Sequence, residues 1–125
     1  MRLVLATLAT GAVMLVLDLT WIGKLGAPLY AQLGALKRAD VQPTAAALFY
    51  VMYLAAIVIH AVRPATSLTN AMGRGAGLGF VCYATDELTN WAVIAGWPVA
   101  LVPVDIVWGV ALTAVSAGVG KRVLG

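Results

Sequence analysis

Charged residues are scarce in this sequence: of 125 residues, only 10% are Asp, Glu, Lys or Arg. A soluble domain carries about 25% charged residues, so this chain lacks the polar surface that would keep it in water. Cysteine and histidine occur once each, as Cys82 and His60. A single cysteine excludes an internal disulfide, and two residues so far apart in sequence do not form a metal-ligand set. We therefore expect a membrane protein with no metal and no cofactor.

A basic patch is also missing, although the formal net charge is +3. The cations lie at the ends of apolar runs, where such side chains anchor helices among lipid headgroups. They are Arg2, Lys24, Lys37, Arg38, Arg63, Arg74, Lys121 and Arg122. The sequence therefore predicts no nucleic-acid partner, and membrane lipids are the partners expected first.

Long apolar runs occupy most of the chain. A helix needs about 20 apolar residues to cross the hydrocarbon, and four runs of that size cover residues 3–22, 44–62, 75–97 and 99–119. After Pro28, leucines recur at helical spacing, which is typical of a short amphipathic helix in the interface. The sequence thus predicts an all-α fold. It is one domain over residues 1–125, an integral membrane bundle of four transmembrane helices with a short interfacial helix between the first two.

Four spans place both termini on the same side of the membrane. That side holds five of the cations and the opposite side holds three. The positive-inside rule then predicts that both termini face the cytoplasm.

The acidic residues are unusual because four of the five lie within predicted spans. Each costs about 2.5–3.5 kcal/mol at a helix centre on insertion scales. At about 1.5 Å per residue, the acids fall in the same outer half of the membrane as several polar side chains. No cation shares that depth, so we expect these carboxyl groups to keep or share protons. The predicted ligand or proton site is Asp18, Trp21, Tyr50, Tyr53, Glu87, Asn90, Asp105 and Trp108, with Asp86 and Tyr83 as secondary members.

Two local patterns add detail to this site. Asp18-x-x-Trp21 and Asp105-x-x-Trp108 each place a carboxylate and an indole three residues apart. Trp108 is deep in its run, so its indole N–H needs an acceptor, and Asp105 is the expected one. Upstream of it, Pro103 is expected to free a backbone carbonyl, that of Val99, and to kink the helix.

Glycines crowd the start of the third run and form two overlapping pairs. They are Gly73/Gly77 and Gly75/Gly79. Small residues four apart allow two membrane helices to approach closely. The GxGxxG spacing of a dinucleotide loop is missing, so close helix packing is the interpretation that these residues favour.

Short motifs of acidic, aromatic and small residues are spread along the chain. They are Asp18-x-x-Trp21, Ala46-Ala47-x-Phe49-Tyr50 with Tyr53, Tyr83-Ala84-Thr85, Leu88-Thr89-Asn90, Gly96-Trp97-Pro98 and Asp105-x-x-Trp108-Gly109. On these motifs, and over almost the whole chain, the sequence resembles the bacterial membrane-protein family catalogued as domain of unknown function 2177. In that family a Tyr-Asp pair precedes Leu-Thr-Asn, whereas Asp86-Glu87 stands here, which places Glu87 at the acidic position. The resemblance implies a four-span protein of the bacterial inner membrane and implies no activity.

Three functions are compatible with these features. The first is binding or transport of a cation, a proton or a small amphipathic ligand at the acidic and aromatic site. The second is an accessory subunit within a larger membrane complex. Besides lipids, the expected partners are thus other copies of this chain in a homo-oligomer or the subunits of such a complex. The third is a lipid-modifying membrane enzyme, but no activated nucleophile, metal set or cofactor fingerprint supports it, so catalytic residues stay unknown. The acids could instead be hydrogen-bonded struts between helices.

Overall fold

The computed structural model describes residues 1–125 and contains helices but no strand. The helices are α1 (Arg2–Leu25), α2 (Ala27–Tyr30), α3 (Pro43–Val62), α4 (Leu68–Val93) and α5 (Leu101–Leu124). The last turns of α1 and α3 are π-helical, at Trp21–Leu25 and Val58–Val62. The predicted all-α class is confirmed.

Three of the helices, α1, α3 and α5, are long and apolar enough to cross a membrane. The predicted count was four. The remaining long helix, α4, has 26 residues but is less apolar, because it contains several glycines together with Arg74, Asp86 and Glu87. Length and composition therefore identify three candidate spans.

The third predicted run differs most from its helix, since residues 75–97 were expected and α4 covers Leu68–Val93. The earlier start follows from a cap: the Ser67 hydroxyl accepts a hydrogen bond from the backbone N–H of Asn70 at 3.0 Å. The earlier end follows from a turn in which Gly96 has a φ of +79°. Similarly, the run at 99–119 becomes a helix that continues to Leu124.

Pro103 does not kink α5. The helix begins at Leu101, so Pro103 lies in its first turn, where backbone N–H groups have no partner within the helix. The carbonyl of Val99, which was expected to be free, accepts a hydrogen bond from the N–H of Val102 at 3.2 Å. The predicted kink was wrong because the helix starts later than the apolar run suggests.

Only the first part of the predicted interfacial helix is α-helical. Its α-helical part, α2, has four residues, and a 3-10 segment follows at Ala31–Leu36. Gly34 interrupts that segment with a φ of +57°, a conformation that glycine adopts readily. The leucine spacing could not reveal this break.

The core of the bundle is built around α5, which packs against α4, α1 and the π-helical end of α3. Glycine lets α4 and α5 approach closely: a Cβ on Gly75 would lie 2.6 Å from the carbonyl oxygen of Thr113, and one on Gly79 would overlap the carbonyl of Gly109. Gly73 and Gly77 face open space instead. One of the two predicted glycine pairs therefore packs, and the other points outward.

The two ends of α3 differ in what they touch. Its π-helical end, Val58–Val62, packs on α4 and α5. Its α-helical part, Pro43–Ile57, has almost no backbone contact with α4. A cleft therefore lies between α3 and α4, toward the end of the bundle that carries the connections 26–42 and 94–100. We call this end the acidic end, because Asp18, Glu87 and Asp105 lie within about two turns of it.

Candidate functional site

A cavity of about 560 Å³ lies at the acidic end, within the range of about 300–1,000 Å³ that ligand pockets occupy. Carboxyl groups line it, and they are Asp18, Asp86 and Asp105. Aromatic rings form much of the wall, and they are Tyr30, Phe49, Tyr53 and Tyr83. The remaining lining residues are Ile22, Met52, Val81, Cys82 and Thr85. An apolar and aromatic surface thus surrounds a few acidic groups.

Asp18 connects α1 to α3. Its side chain is 5% exposed, and its Oδ2 accepts a hydrogen bond from the Tyr50 hydroxyl at 2.5 Å. The sequence predicted both residues at one depth, and the structure brings them into contact. The partner is a neutral donor, so the carboxyl group has no neutralising cation.

Asp105 connects α5 to α2. It is 4% exposed, and its Oδ1 accepts a hydrogen bond from the Tyr30 hydroxyl at 3.3 Å. That hydroxyl in turn accepts one from Trp21 Nε1 at 3.4 Å. Tyr30 lies outside the long helices, and burial together with the nearby Asp105 carboxylate raises its pKa. Its hydroxyl therefore stays protonated and remains a donor to Asp105.

The two tryptophans of the repeated pattern meet each other. The rings of Trp21 and Trp108 stack with their centroids 5.1 Å apart and their planes 12° apart. Trp108 Nε1 is buried and has no hydrogen-bond partner. The prediction that Asp105 accepts from Trp108 was wrong, because Tyr30 takes that position and stacking on Trp21 decides where the indole lies.

Glu87 and Asn90, two members of the predicted site, have different hydrogen-bond partners. Glu87 is 1% exposed, and its Oε2 accepts a hydrogen bond from Trp97 Nε1 at 2.9 Å. Asn90 donates instead to Asp86, one turn earlier, at 3.3 Å. Asp86, a secondary member of the predicted site, lines the cavity, whereas Glu87 lies behind it.

Three carboxyl groups come close enough to hold one metal ion. Oxygens of Asp86, Glu87 and Asp105 all lie within 4.8 Å of one another. Such hard oxygen ligands suit Mg²⁺ or Ca²⁺ rather than a softer metal. The scarcity of histidine and cysteine bears only on sites built from those ligands, and these three carboxyl groups form a different kind of candidate site.

Tyr53 and Tyr83, which lie between α3 and α4, form part of the wall of the cavity. Tyr53 is buried, and its hydroxyl lies 2.6 Å from the Thr113 hydroxyl, which donates to the carbonyl of Gly109 at 2.7 Å. The Tyr53 hydroxyl is therefore the donor to Thr113. Its ring contacts that of Tyr83 edge to face at 6.1 Å and stacks on Phe49 at 5.4 Å.

Sequence reasoning missed several members of this region. Tyr30 was overlooked because its segment was read only as an interfacial helix, yet it is the one tyrosine outside the predicted spans. Trp97 was not among the predicted site residues, and the turn at Gly96 folds it back over Glu87. Phe49 and Cys82 carried no polar signal, and only the tertiary structure places them at the cavity.

The comparisons with known proteins agree with the membrane character of these helices. A family described as predicted membrane protein (DUF2177) matches residues 3–121, nearly the whole chain. No curated protein and no solved structure matches the chain.

Proposed function

The chain belongs to the predicted membrane protein family DUF2177, and on that premise we propose that it is a four-span protein whose acidic cavity binds or transports a cationic ligand. The observation that carries the proposal is the lining of the cavity. Asp18, Asp86 and Asp105 face it, and their hydrogen-bond partners are tyrosine and asparagine side chains rather than lysine or arginine.

Packing supports α4 as the fourth span. It lies side by side with α5, from Met72 against Gly118 to Tyr83 against Gly109. Since α5 is itself long and apolar enough to cross a membrane, a helix packed along it occupies the same layer. The glycines that lower the apolar character of α4 are partly used in this contact.

A four-span bundle places both termini on one side, and we propose that this side is the cytoplasm of a bacterial inner membrane. The cation bias of five against three motivates the orientation. Reporter enzymes fused after Gly125 should be active only in the cytoplasm. A fusion that is active in the periplasm would contradict the orientation, and it would leave the cavity proposal untouched.

Electrostatics favours a cation over a neutral or anionic ligand. Carboxylates in a low-dielectric surrounding attract a positive charge more strongly than they do in water, and an unpaired one is costly. Aromatic faces such as those of Phe49 and Tyr53 add cation–π attraction. A cation in the cavity would neutralise Asp86 and Asp105 while touching these rings.

Two probes of the same shape and opposite charge test the proposal. The protein in lipid nanodiscs is dialysed against tetraphenylphosphonium or against tetraphenylborate, and bound probe is measured. We expect saturable binding of the phosphonium alone, weakened at least tenfold by Asp105→Asn and by Asp86→Asn. Asp40→Asn is the matched control, because Asp40 is exposed and does not line this cavity.

Equal uptake of both probes, or phosphonium binding that survives both substitutions, would refute the cation site. Large subunits that co-purify with a chain that binds neither probe would favour the accessory-subunit alternative. Turnover of a lipid by the purified protein would favour the enzyme alternative.

A further inference from the structure

From the open side of the cavity we infer that its ligand is a cationic amphiphile that enters sideways from the lipid. The charged group sits among the carboxylates, and the apolar chain stays in the bilayer. This inference rests on the proposed function and names the class of its ligand, which is an ammonium-type group on a hydrocarbon chain.

The rim of the cavity is apolar and faces outward at mid-depth. Met52 and Val81 both line the cavity, and they are 66% and 61% exposed. Met52 lies near the middle of α3, and Val81 lies near the middle of α4. In a four-span bundle the middle of these helices is at the level of the hydrocarbon, so the opening is toward lipid tails.

The arrangement of the helices explains why the opening exists. The π-helical end of α3 holds α3 and α4 together, while the Pro43–Ile57 part stands away from α4. Only large side chains bridge that gap, chiefly Tyr53 against Tyr83. At mid-depth the exposed border of the cleft is apolar, because Met52 and Val81 lie on it.

The other approach, from the water at the acidic end, is partly covered by side chains. Tyr30 from α2 and Ile22 from the last turn of α1 line the cavity there. Tyr30 is held in place by its hydrogen bonds with Trp21 and Asp105. A ligand therefore meets an aromatic side chain from this direction and an apolar gap from the membrane.

The polarity inside the cavity matches a molecule with one charged end. Asp105 and Asp18 are nearly fully buried at its inner wall, whereas Met52 and Val81 are the exposed lining residues at mid-depth. Nearer the acidic end, Phe49, Thr85 and Asp86 also line the cavity and are exposed. A charged head that reaches the carboxylates leaves its chain against Met52 and Val81, at the mid-depth mouth of the cavity. A small inorganic cation would leave that mouth without a partner.

A series of ammonium ions with alkyl groups of increasing length tests whether the ligand carries a hydrocarbon chain. Alkyltrimethylammonium ions from tetramethyl to decyl are added to the protein in phosphatidylcholine nanodiscs, and alkylation of Cys82 by N-ethylmaleimide is followed by mass spectrometry. Cys82 is the only cysteine and lines the cavity. We expect protection whose half-saturating aqueous concentration falls about fourfold per methylene, as expected for a chain that stays in an apolar phase. Decanol, which has no charge, should give no protection.

Large side chains introduced at the mouth of the cavity test whether the ligand enters there from the lipid. Val81→Trp and Met52→Trp should raise the half-saturating concentration of the decyl ion at least tenfold. Phe80→Trp is the matched control, since Phe80 neighbours Val81 on α4 and is exposed but does not line the cavity. It should behave like the unaltered protein.

The outcomes separate this inference from the proposed function. If the carboxylate-dependent phosphonium binding is present, but chain length and both mouth substitutions have no effect, the lateral amphiphile is wrong and the cation site stands. If decanol protects as well as the decyl ion, or if Asp105→Asn leaves protection by the decyl ion unchanged, the proposed function fails with it.

Discussion

The two ends of this bundle are held together in different ways. From the end that carries the termini to the middle of the bundle, Gly75 and Gly79 let the backbones of α4 and α5 touch, and Gly120 leaves room for the Thr10 and Val62 side chains. At the acidic end, large side chains span the gaps through hydrogen bonds, as in Tyr50 with Asp18. Close backbone packing leaves no room for a ligand, whereas side-chain bridges leave a cavity. The difference indicates that stability and the candidate site are separated along the helices.

Substitution in the tight region should have the largest effect on stability. Gly79→Ala places a methyl group on the carbonyl of Gly109, so α4 and α5 must separate. We expect a loss of about 1–3 kcal/mol, typical of overpacking. Gly77→Ala is the control, because Gly77 faces open space on the same helix. Thermal unfolding, followed by circular dichroism, should give Gly79→Ala a lower melting temperature than Gly77→Ala. Equal melting temperatures would show that close backbone packing does not stabilise this part of the bundle.

Tyr50→Phe should have the next largest effect. It leaves Asp18, which is 5% exposed, without its donor. A buried acceptor left without a partner costs about 1–3 kcal/mol. In a double-mutant cycle with Asp18→Asn, the coupling should account for most of the loss. Additive effects would show that the hydrogen bond does not join α1 and α3.

Tyr53→Phe should cost less, about 0.5–1.5 kcal/mol. The Thr113 hydroxyl keeps its bond to the carbonyl of Gly109, so no donor is left unsatisfied. The ring still fills its place against Phe49 and Tyr83. The same unfolding assay measures the change. A loss larger than that of Gly79→Ala would show that the side-chain bridges, and not the glycine contacts, dominate stability.

Asp105→Asn should leave stability nearly unchanged and remove cation binding. The amide oxygen can still accept a hydrogen bond from the Tyr30 hydroxyl. The substitution also removes a buried carboxyl group that has no cationic partner, which offsets its cost to stability. Melting curves beside phosphonium binding separate the two roles. A marked fall in melting temperature, with binding intact in the folded fraction, would assign Asp105 to a structural strut.

Sequence reasoning located the helices better than their contacts. The run at 44–62 gave nearly the bounds of α3, because Pro43 and Arg63-Pro64 delimit it. The start of α4 was missed since its first turns are polar, and the cap at Ser67 escaped notice. Asp105 was taken to pair with Trp108 on its own helix, while the structure pairs it with Tyr30 from α2.

The sequence by itself determined that this is an all-helical membrane protein with acids placed deep in its helices, because hydropathy and the cost of a charge depend on residue type and run length alone. The tertiary structure decided which side chains meet. Tyr30 reaches Asp105 and Trp97 reaches Glu87 because turns at Gly26 and Gly96 fold the connections back over the bundle. The cavity itself exists because α3 stands away from α4. The separation of two helices depends on every residue between them, and no local pattern in the sequence encodes it.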